Sequence, residues 1–460
     1  MKRIALFLLG LLSTVSISAT DHETERIALR DSILRQVTGA TLIQDEMLLS
    51  DFGGKGDNET DCYPAFVKAM KEVKRRGKGK VVLTEGIWLC KGPIRLVDNV
   101  TLVIRKGATL KFVAEPKHFL PMVETSWEGT FLWNYSPFIY GKGLKNVCIA
   151  GTGVIDGNAG DTFSKWYDTQ ISCQLLSREM NHRGVPLDQR LFGEGHYLRP
   201  QLIQLYDCKD VTISSVFIQN APFWCIHILK CENVVLRGIR YDAKLVNNDG
   251  IDVESSRNIL IDDVRFNNGD DNIAIKSGRD NDGWTMCPPS ENIVIRRCHF
   301  KGLHAVVIGS ELSGGVRNIV IENCGYNGYC KRGIFIKTNP DRGGFVKNIY
   351  VRNVHFGEVL DLFHITSMYA GQGLDNNRYT EIENIHVDSL SARKVNGMVL
   401  VVQGNKEKPI RDVSFSRIIA DTLNNGVCFE NADPIPMRDC YLGPPAGVPS
   451  QVSSKDYLFR

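Results

Sequence analysis

After its first 19 residues, the 460-residue sequence has no hydrophobic run long enough to cross a membrane. It also has no excess of charge, because 55 Lys and Arg residues face 52 Asp and Glu residues for a formal net charge of +3. This balance argues against general attraction to nucleic acid or to a membrane surface. The 13 cysteines include no CxxC pair, so a zinc site is not expected. We expect no other metal and no cofactor.

The first 19 residues have the pattern of a signal peptide. Lys2 and Arg3 precede an apolar run from residue 4 to residue 12, and small residues follow up to Ala19. We therefore expect an exported protein, periplasmic or extracellular, without a membrane span. Residues 20–460 are expected to form one domain, and the sequence leaves the oligomeric state open.

Export would permit disulfide bonds, and several cysteines are close enough in sequence to be partners. The pairs are Cys225/Cys231, Cys324/Cys330 and Cys428/Cys440. The alternative is that cysteines such as Cys208, Cys298 and Cys324 stack as small buried residues at equivalent positions of successive strands. Both readings stay open at this level.

The dominant feature is an internal repeat of the form Asn-Ile/Val-x-Val/Ile. It begins at Asn146, Asn233, Asn258, Asn292, Asn318, Asn348 and Asn384, with Asp210 as a variant. The shorter intervals of 23 to 26 residues, and the period-2 alternation within each unit, are typical of a solenoid of short strands. The sequence predicts an all-β fold, a single-stranded right-handed parallel β-helix whose repeated Asn residues form an amide ladder.

Two segments depart from the repeat. Apolar residues at helical spacing between Ala65 and Val73 follow Thr60 and Asp61, which are suitable N-cap residues. We expect this helix to cap the N-terminal end of the solenoid, since open ends invite aggregation. Residues 161–198 interrupt the strand pattern with charged and aromatic residues, and they predict an inserted loop region that shapes a binding site.

Three neighbouring repeats carry polar residues where strand residues are expected. Asp249 lies 16 residues after its repeat Asn, Asp270 and Asp271 lie 12 and 13 residues after theirs, and His304 lies 12 after its own. Such similar offsets would place the four side chains on one face of adjacent turns, about 5 Å apart per turn.

Three neighbouring carboxylates cannot all stay ionised at low cost. One pKa should rise, which leaves a proton available for donation while another group remains charged. Hydrolysis of a glycosidic bond needs this combination, a carboxylic acid for the leaving oxygen and a carboxylate that activates water.

The motifs that carry these residues resemble those of glycoside hydrolase family 28, the polygalacturonase family, and particularly its bacterial exo-acting members. The matching segments are Asn247-Asn248-Asp249, Gly269-Asp270-Asp271, Leu303-His304-Ala305 and Phe335-Ile336-Lys337. The resemblance implies a right-handed β-helix and inverting hydrolysis of galacturonic-acid-containing bonds in pectic polysaccharides or their oligosaccharides.

The resemblance also implies roles for individual residues. Asp270 matches the general acid, Asp249 and Asp271 match the pair that activates water, and His304 matches a residue that keeps the acid in place. Lys337 matches a contact to the substrate carboxylate. Further substrate contacts are expected from Lys276, Arg279, Asn247, Asp252, Glu311 and Trp284, the last by stacking on a sugar or by packing its own loop.

One departure concerns the charge that would bind a uronate. Phe335 stands where the family usually has an Arg, and Phe cannot form a bidentate charge-assisted bond to a carboxylate. Arg332, Lys276 and Arg279 are the candidate replacements. The sequence leaves open whether the bond joins two galacturonates, or galacturonate to rhamnose or a side chain. A polysaccharide lyase and a non-catalytic pectin-binding β-helix remain as alternative functions.

Overall fold

The computed structural model describes residues 19–370, 374, 376–444 and 458–459, so the expected signal peptide lies outside the described residues except for Ala19. The α-helices in this part are α1 (Ala19–Gln36), α2 (Tyr63–Arg76), α3 (Ile171–His182) and α4 (Asp280–Met286). Short 3-10 helices cover Leu49–Phe52, Pro116–Phe119, Phe163–Trp166 and Leu187–Gln189. None of the described helices combines the length and apolar character that a membrane span requires.

Most strands belong to one continuous set of 23 hydrogen-bonded strands. They are β1 (Glu46–Leu48), β3 (Gly79–Leu83), β5 (Ile94–Arg95), β6 (Val100–Ile104), β10 (Ile139–Lys142), β11 (Lys145–Ala150), β14 (Ile203–Tyr206), β15 (Lys209–Ser214), β17 (Ile226–Leu229), β18 (Glu232–Arg237), β20 (Ile251–Glu254), β21 (Arg257–Asp262), β22 (Asp271–Lys276), β23 (Ser290–Arg296), β24 (Gly302–Gly309), β25 (Val316–Lys337), β26 (Phe345–Thr366), β27 (Glu381–Gln403), β28 (Arg411–Ser416), β29 (Ile419–Glu430), β30 (Met437–Arg438), β31 (Cys440–Leu442) and β32 (Leu458–Phe459).

Two smaller sheets complete the architecture. Six strands form a second parallel sheet: β2 (Asp57–Asp61), β4 (Gly86–Cys90), β7 (Ala108–Phe112), β12 (Val154–Asp156), β16 (Phe217–Gln219) and β19 (Arg240–Asp242). Three strands form the third sheet: β8 (Val123–Trp127), β9 (Thr130–Asn134) and β13 (Leu191–Phe192).

The strands of successive turns pair in parallel, which confirms the predicted parallel β-helix. We call the face formed by β10, β14, β17, β20, β22, β24 and the later parts of β25, β26 and β27 the site sheet. One inward position per turn stacks on the next along it: Ile139, Ile203, Ile226, Ile251, Ile273, Val306, Ile334, Phe363 and Leu400. All nine side chains are fully buried, so the alternation of the sequence encodes one continuous apolar core.

The predicted Asn ladder forms from Asn258 to Asn384. At each step the Nδ2 group of one Asn donates to Oδ1 of the Asn one turn earlier, over 2.7–3.0 Å. These backbones have φ of 57° to 60°, the left-handed region that Asn tolerates better than most residues. The repeat therefore uses Asn both for the turn and for the contact between turns.

Helix α1 lies outside the solenoid and was not predicted from the sequence. Ile33 and Val37 pack on outward-facing side chains of four consecutive turns, Val235, Leu260, Val294 and Val320. Arg26 forms a buried ion pair with Glu322. The chain then continues across the turns, and the amides of residues 38 and 39 donate to Oδ1 of Asn233 over 2.8 and 2.9 Å. The N-terminal segment thus ties several turns together.

Helix α2 buries the predicted apolar stripe of Ala65, Phe66, Ala69, Met70 and Val73 beside the first strands of the solenoid. Its N-cap residue is Cys62, one residue later than expected. Asp61 still accepts a hydrogen bond from the first helical amide over 2.9 Å, whereas Thr60 bonds to Asp57 instead.

Residues 123–134 and 161–199, here called the lobe, cover one end of the site sheet. The predicted insertion contains α3 and the short strand β13, which extends the antiparallel hairpin of β8 and β9. Trp127 of this hairpin stacks on Phe223 of the solenoid with ring centroids 5.2 Å apart. The contribution of β8 and β9 was not foreseen.

All 13 cysteines lie in the described part of the chain, and each is a free thiol. None of the three candidate disulfides is formed. The stacking alternative holds for Cys298 and Cys324, where the Cys298 amide lies 3.4 Å from the Cys324 sulfur, while Cys208 stacks on Cys231 in the same way.

We expect Ile33→Ala to lower the free energy of unfolding by about 2–4 kcal/mol, because it leaves a cavity between α1 and four turns of the solenoid. Urea denaturation followed by circular dichroism measures the change. Ile27→Ala is the matched control, since Ile27 lies on the same helix and is 36% exposed. Equal shifts of the two midpoints would mean that α1 contributes nothing through this contact.

Candidate active site

The site is built on one row of positions across adjacent turns of the site sheet. Strand register places Asp271, His304, Arg332 and Asp361 side by side on β22, β24, β25 and β26. Asp249 joins the row from the preceding turn, where the amide that follows it bonds to the Asp271 carbonyl over 2.9 Å. The similar sequence offsets therefore converge in space, as the repeat predicted.

A pocket of about 670 Å³ opens over this row. It brings together most of the residues singled out in the sequence: Asn247, Asp249, Asp270, Asp271, Lys276, Arg279, His304, Glu311 and Lys337. It is also lined by residues that the sequence did not indicate: Glu128, Arg178, Trp224, Lys331, Arg342 and Tyr369. Arg178 belongs to the charged insertion, but no spacing rule connects the lobe to the repeats.

Two expected substrate contacts do not reach the pocket. Asp252 is fully buried, and neither carboxyl oxygen has a hydrogen-bond partner among the described residues. Trp284 donates from its ring nitrogen to the Arg342 carbonyl over 2.8 Å, and the Arg378 guanidinium lies 4.0 Å from its ring centroid. The strand alternation points Asp252 away from the core, as expected, but neighbouring side chains cover it. Trp284 packs against its own loop.

The two adjacent carboxyl groups are held differently. Asp271 receives His304 Nδ1 at 2.6 Å on Oδ1 and the Lys337 ammonium at 3.3 Å on Oδ2. Asp270 receives the Asp271 amide at 3.0 Å on Oδ1 and the Asn247 side-chain amide at 3.1 Å on Oδ2. Asp271 therefore has a cation within direct contact, whereas Asp270 has neutral donors.

These contacts separate the two groups in protonation. Burial disfavours the charged form of both, but Lys337, His304 and Lys276 together hold the pKa of Asp271 below its ordinary value. Burial and the neighbouring charge of Asp271 raise the pKa of Asp270. The arrangement favours a protonated Asp270 next to an ionised Asp271.

The surroundings of Asp249 differ from those of Asp271. Burial, followed by the carboxyl groups of Asp252, Asp270 and Asp271, raises the pKa of Asp249 well above its ordinary range. The negative charge of the group is therefore concentrated on Asp271.

On the lobe side, the cations of the pocket are already paired with acids. Glu311 accepts from the Lys276 ammonium at 3.0 Å and from the Arg279 guanidinium at 2.6 Å. Arg178 bonds to Glu128 at 2.7 Å, and Arg342 bonds to Asp280 at 2.7 Å. Lys276 and Arg279 do line the pocket, but as members of a nearly neutral buried network.

On the opposite side, Phe335 serves as a platform for two cations. The Arg332 guanidinium lies 4.5 Å and the Lys337 ammonium 5.5 Å from its ring centroid. Asp361 holds Arg332 Nε at 3.0 Å, and another guanidinium nitrogen lies 3.4 Å from His304 Nε2. Arg332 thus lies beside position 335, where the family usually has an Arg and this chain has Phe.

Asp270, Asp271 and His304 offer ligand atoms that all lie within 4.8 Å of one another, a spacing that would fit a metal ion. Here the Lys337 ammonium bonds to Asp271 and neutralises the carboxylate that a cation would need. The set is therefore better suited to acid–base chemistry than to holding a metal.

With this geometry in hand, comparison with known proteins identifies relatives across the chain. The family model described as glycosyl hydrolases family 28 matches residues 95–427. A probable polygalacturonase of Vitis vinifera is 29% identical over 387 residues, which cover 80% of this chain and 73% of that protein.

Solved structures agree. An exopolygalacturonase from Thermotoga maritima is 33% identical, with a TM-score of 0.79 and coverage of 90% of this chain and 96% of that one. A polygalacturonase from Erwinia carotovora shares the fold at 20% identity and a TM-score of 0.64, with coverage of 86% and 100%. The chain belongs to glycosyl hydrolase family 28 and is an O-glycosyl hydrolase built on a parallel β-helix.

Proposed function

We propose that this enzyme hydrolyses galacturonic-acid-containing bonds of pectic polysaccharides or their oligosaccharides, with inversion at the anomeric carbon. The observation that carries the proposal is the unequal surroundings of two adjacent carboxyl groups in one pocket: Asp271 contacts the Lys337 ammonium, whereas Asp270 has only neutral donors. An acid and a carboxylate are both ready before substrate binds, as glycosidic hydrolysis requires.

In the proposed reaction, Asp270 gives its proton to the glycosidic oxygen while the bond from that oxygen to the anomeric carbon breaks. Water attacks the anomeric carbon and passes a proton to Asp271, with Asp249 holding the same water. His304 keeps Asp271 in place through its Nδ1 contact, and Lys337 offers an ammonium to the substrate carboxylate. The relatives named polygalacturonase support this substrate class.

We propose attack from a chain end. Glu128 of the β8–β9 hairpin and Arg178 of α3 line the pocket together with Arg279, so the lobe occupies one of its sides. The loop that carries Arg279 is fixed to the lobe, because Asn181 donates to the Arg279 carbonyl over 2.8 Å. A wall of this kind leaves room for a chain terminus but blocks an internal stretch.

We propose that the leaving sugar is also a uronate, bound by Arg332. Its side chain is 20% exposed, lines the pocket and is oriented by Asp361 and by the Phe335 ring. A guanidinium held in this way can form a charge-assisted bond to a carboxylate. The preferred bond would then join two galacturonates rather than galacturonate and rhamnose.

We further propose that residues 20–460 act as one exported domain, as the first 19 residues indicate. Family membership does not favour the alternatives of binding without turnover or elimination.

We expect Asp270→Asn to reduce kcat on oligogalacturonates by about 100- to 10,000-fold, because the proton donor is lost while the shape is kept. Product analysis by NMR gives the rate, the anomeric configuration and the order of release from chain ends. Asp242→Asn, on the exposed rim of the second sheet, is the control. Wild-type rates for Asp270→Asn, or unsaturated ultraviolet-absorbing products, would refute the assignment.

We expect Arg332→Met to lower kcat/KM for digalacturonate by about 10- to 100-fold, the usual loss for a hydrogen bond to a charged group. The p-nitrophenyl α-galacturonide should be affected much less, since its leaving group has no carboxylate. Arg332→Lys, which keeps the charge, should retain part of the preference. Equal losses on both substrates would show that Arg332 acts only through His304.

Expression of the full chain in a bacterial host should yield a processed protein outside the cytoplasm. N-terminal sequencing after fractionation is expected to show cleavage next to Ala19, whereas Lys2→Asp with Arg3→Asp should slow processing because the charged start is removed. Retention of residues 1–19 in the active wild-type enzyme would contradict export by this route.

A further inference from the structure

Arg199 is a buried cation that neither the sequence motifs nor the proposed reaction uses. It is the last residue of the lobe, and its side chain is fully buried. The guanidinium carbon lies 5.4 Å from the ring centroid of Tyr167 and 5.1 Å from that of Phe223. Its Nε group donates to Gln170 Oε1 at 2.8 Å, next to the start of α3. One terminal nitrogen donates to the Val246 carbonyl at 3.0 Å.

The charge of Arg199 has no direct acidic partner. No carboxylate of the described residues forms an ion pair with it, and burial lowers the pKa of Arg199 to about 10, so the guanidinium is still cationic at neutral pH. Burying a cation without a paired anion is costly. Glu128, Asp249 and Asp270 act on this charge without direct contact. One neutral residue links Arg199 to a carboxyl group by hydrogen bonds, because the other terminal nitrogen donates to Asn247 Oδ1 at 2.6 Å.

This contact determines which way the Asn247 amide faces. A guanidinium only donates hydrogen bonds, so the oxygen of the amide must face Arg199 and its NH₂ group must face away. On that other side, Asn247 Nδ2 lies 3.1 Å from Asp270 Oδ2. Hydrogen bonds therefore run in one direction, from Arg199 of the lobe to Asn247 and from Asn247 to the carboxyl group of Asp270.

We propose that Arg199 is a positioning residue that locks the Asn247 amide so that it donates to Asp270. The inference rests on the proposed function, in which Asp270 is the general acid. A fixed donor stabilises the carboxylate that remains after the proton has left. Without Arg199 the amide can turn over and present its oxygen to Asp270, which favours the protonated form.

Other groups also act on Asp270, and they stay in place when Arg199 is changed. They are Asp271 at the start of β22, His304 on β24, Lys337 on β25 and Asp249 before β20. Burial and Asp271 raise the pKa of Asp270, whereas Lys337, His304 and the Asn247 donor lower it. Loss of the donor should therefore raise this pKa further.

The test is a double-mutant cycle of Arg199→Met and Asn247→Ala, with kcat/KM on digalacturonate measured across pH. Each single variant should shift the basic limb of the pH profile of kcat/KM to higher pH by about one unit and lower the maximal rate. The reason is that the ionised Asp270 loses a hydrogen-bond donor. The double variant should show the shift of Asn247→Ala alone, because both changes remove the same hydrogen bond.

Arg190→Met is the matched control. Arg190 is another buried lobe cation, bonded to Asp282 at 2.6 Å, and it has no contact with Asn247. It should lower the melting temperature without moving the basic limb. If Arg199→Met does not fold, Arg199→Gln replaces it in the cycle, since it keeps a polar group for the Val246 carbonyl.

An unmoved basic limb in the Arg199 variant, or additive shifts in the double variant, would overturn the proposal and leave Arg199 with a packing role. Failure of the proposed function looks different, because Asp270→Asn would then keep wild-type activity or the wild-type enzyme would not hydrolyse galacturonides at all.

Discussion

In-register stacking of parallel strands is the constraint on which the whole molecule depends. Each turn of the site sheet places an apolar residue on the one before it, from Ile139 to Leu400, and the same register fixes all the other positions of the strand. A side chain two residues from the column therefore meets its counterparts on the neighbouring turns. The acid row exists because Asp271 and His304 occupy that one position on consecutive turns.

The same stacking makes the electrostatics of the pocket both costly and useful. Adjacent turns are only about 4.8 Å apart, so carboxyl groups in one row cannot all be charged. The protein resolves the conflict by giving Asp271 the Lys337 ammonium and by giving Asp270 neutral donors. The difference between an acid and a base thus comes from which partners the next turns supply, and the residue type is the same.

The sequence predicted the parts of the site that follow the repeat. Offsets from the repeated Asn were enough to bring Asp249, Asp270 and His304 together, because the register of a solenoid converts equal offsets into neighbours. Asp252 shows the limit. Alternation correctly points it away from the core, but burial there depends on which long side chains lie over it, and the pattern holds no information about that.

Residues of the lobe could not be predicted for a related reason. Glu128, Arg178 and Arg199 belong to segments outside the period, so their distance from the row depends on tertiary packing of the hairpin and α3. Helix α1 is a similar case, because its contacts run across four turns rather than along one. Local patterns determine what each turn does, whereas insertions are placed by surfaces that only the folded solenoid creates.

The substitution of Phe for a family Arg illustrates how such a site can change without losing charge. Position 335 alternates with core residues, so its side chain lines the pocket. A cation from a neighbouring position can lie against the aromatic ring there. Arg332 is one turn from His304 and is held by Asp361, which lies one turn further along the same row. The row thus contains both Asp271 and the Arg332 guanidinium. The stacking that brings carboxyl groups together also places this cation where it can contact either the substrate or His304.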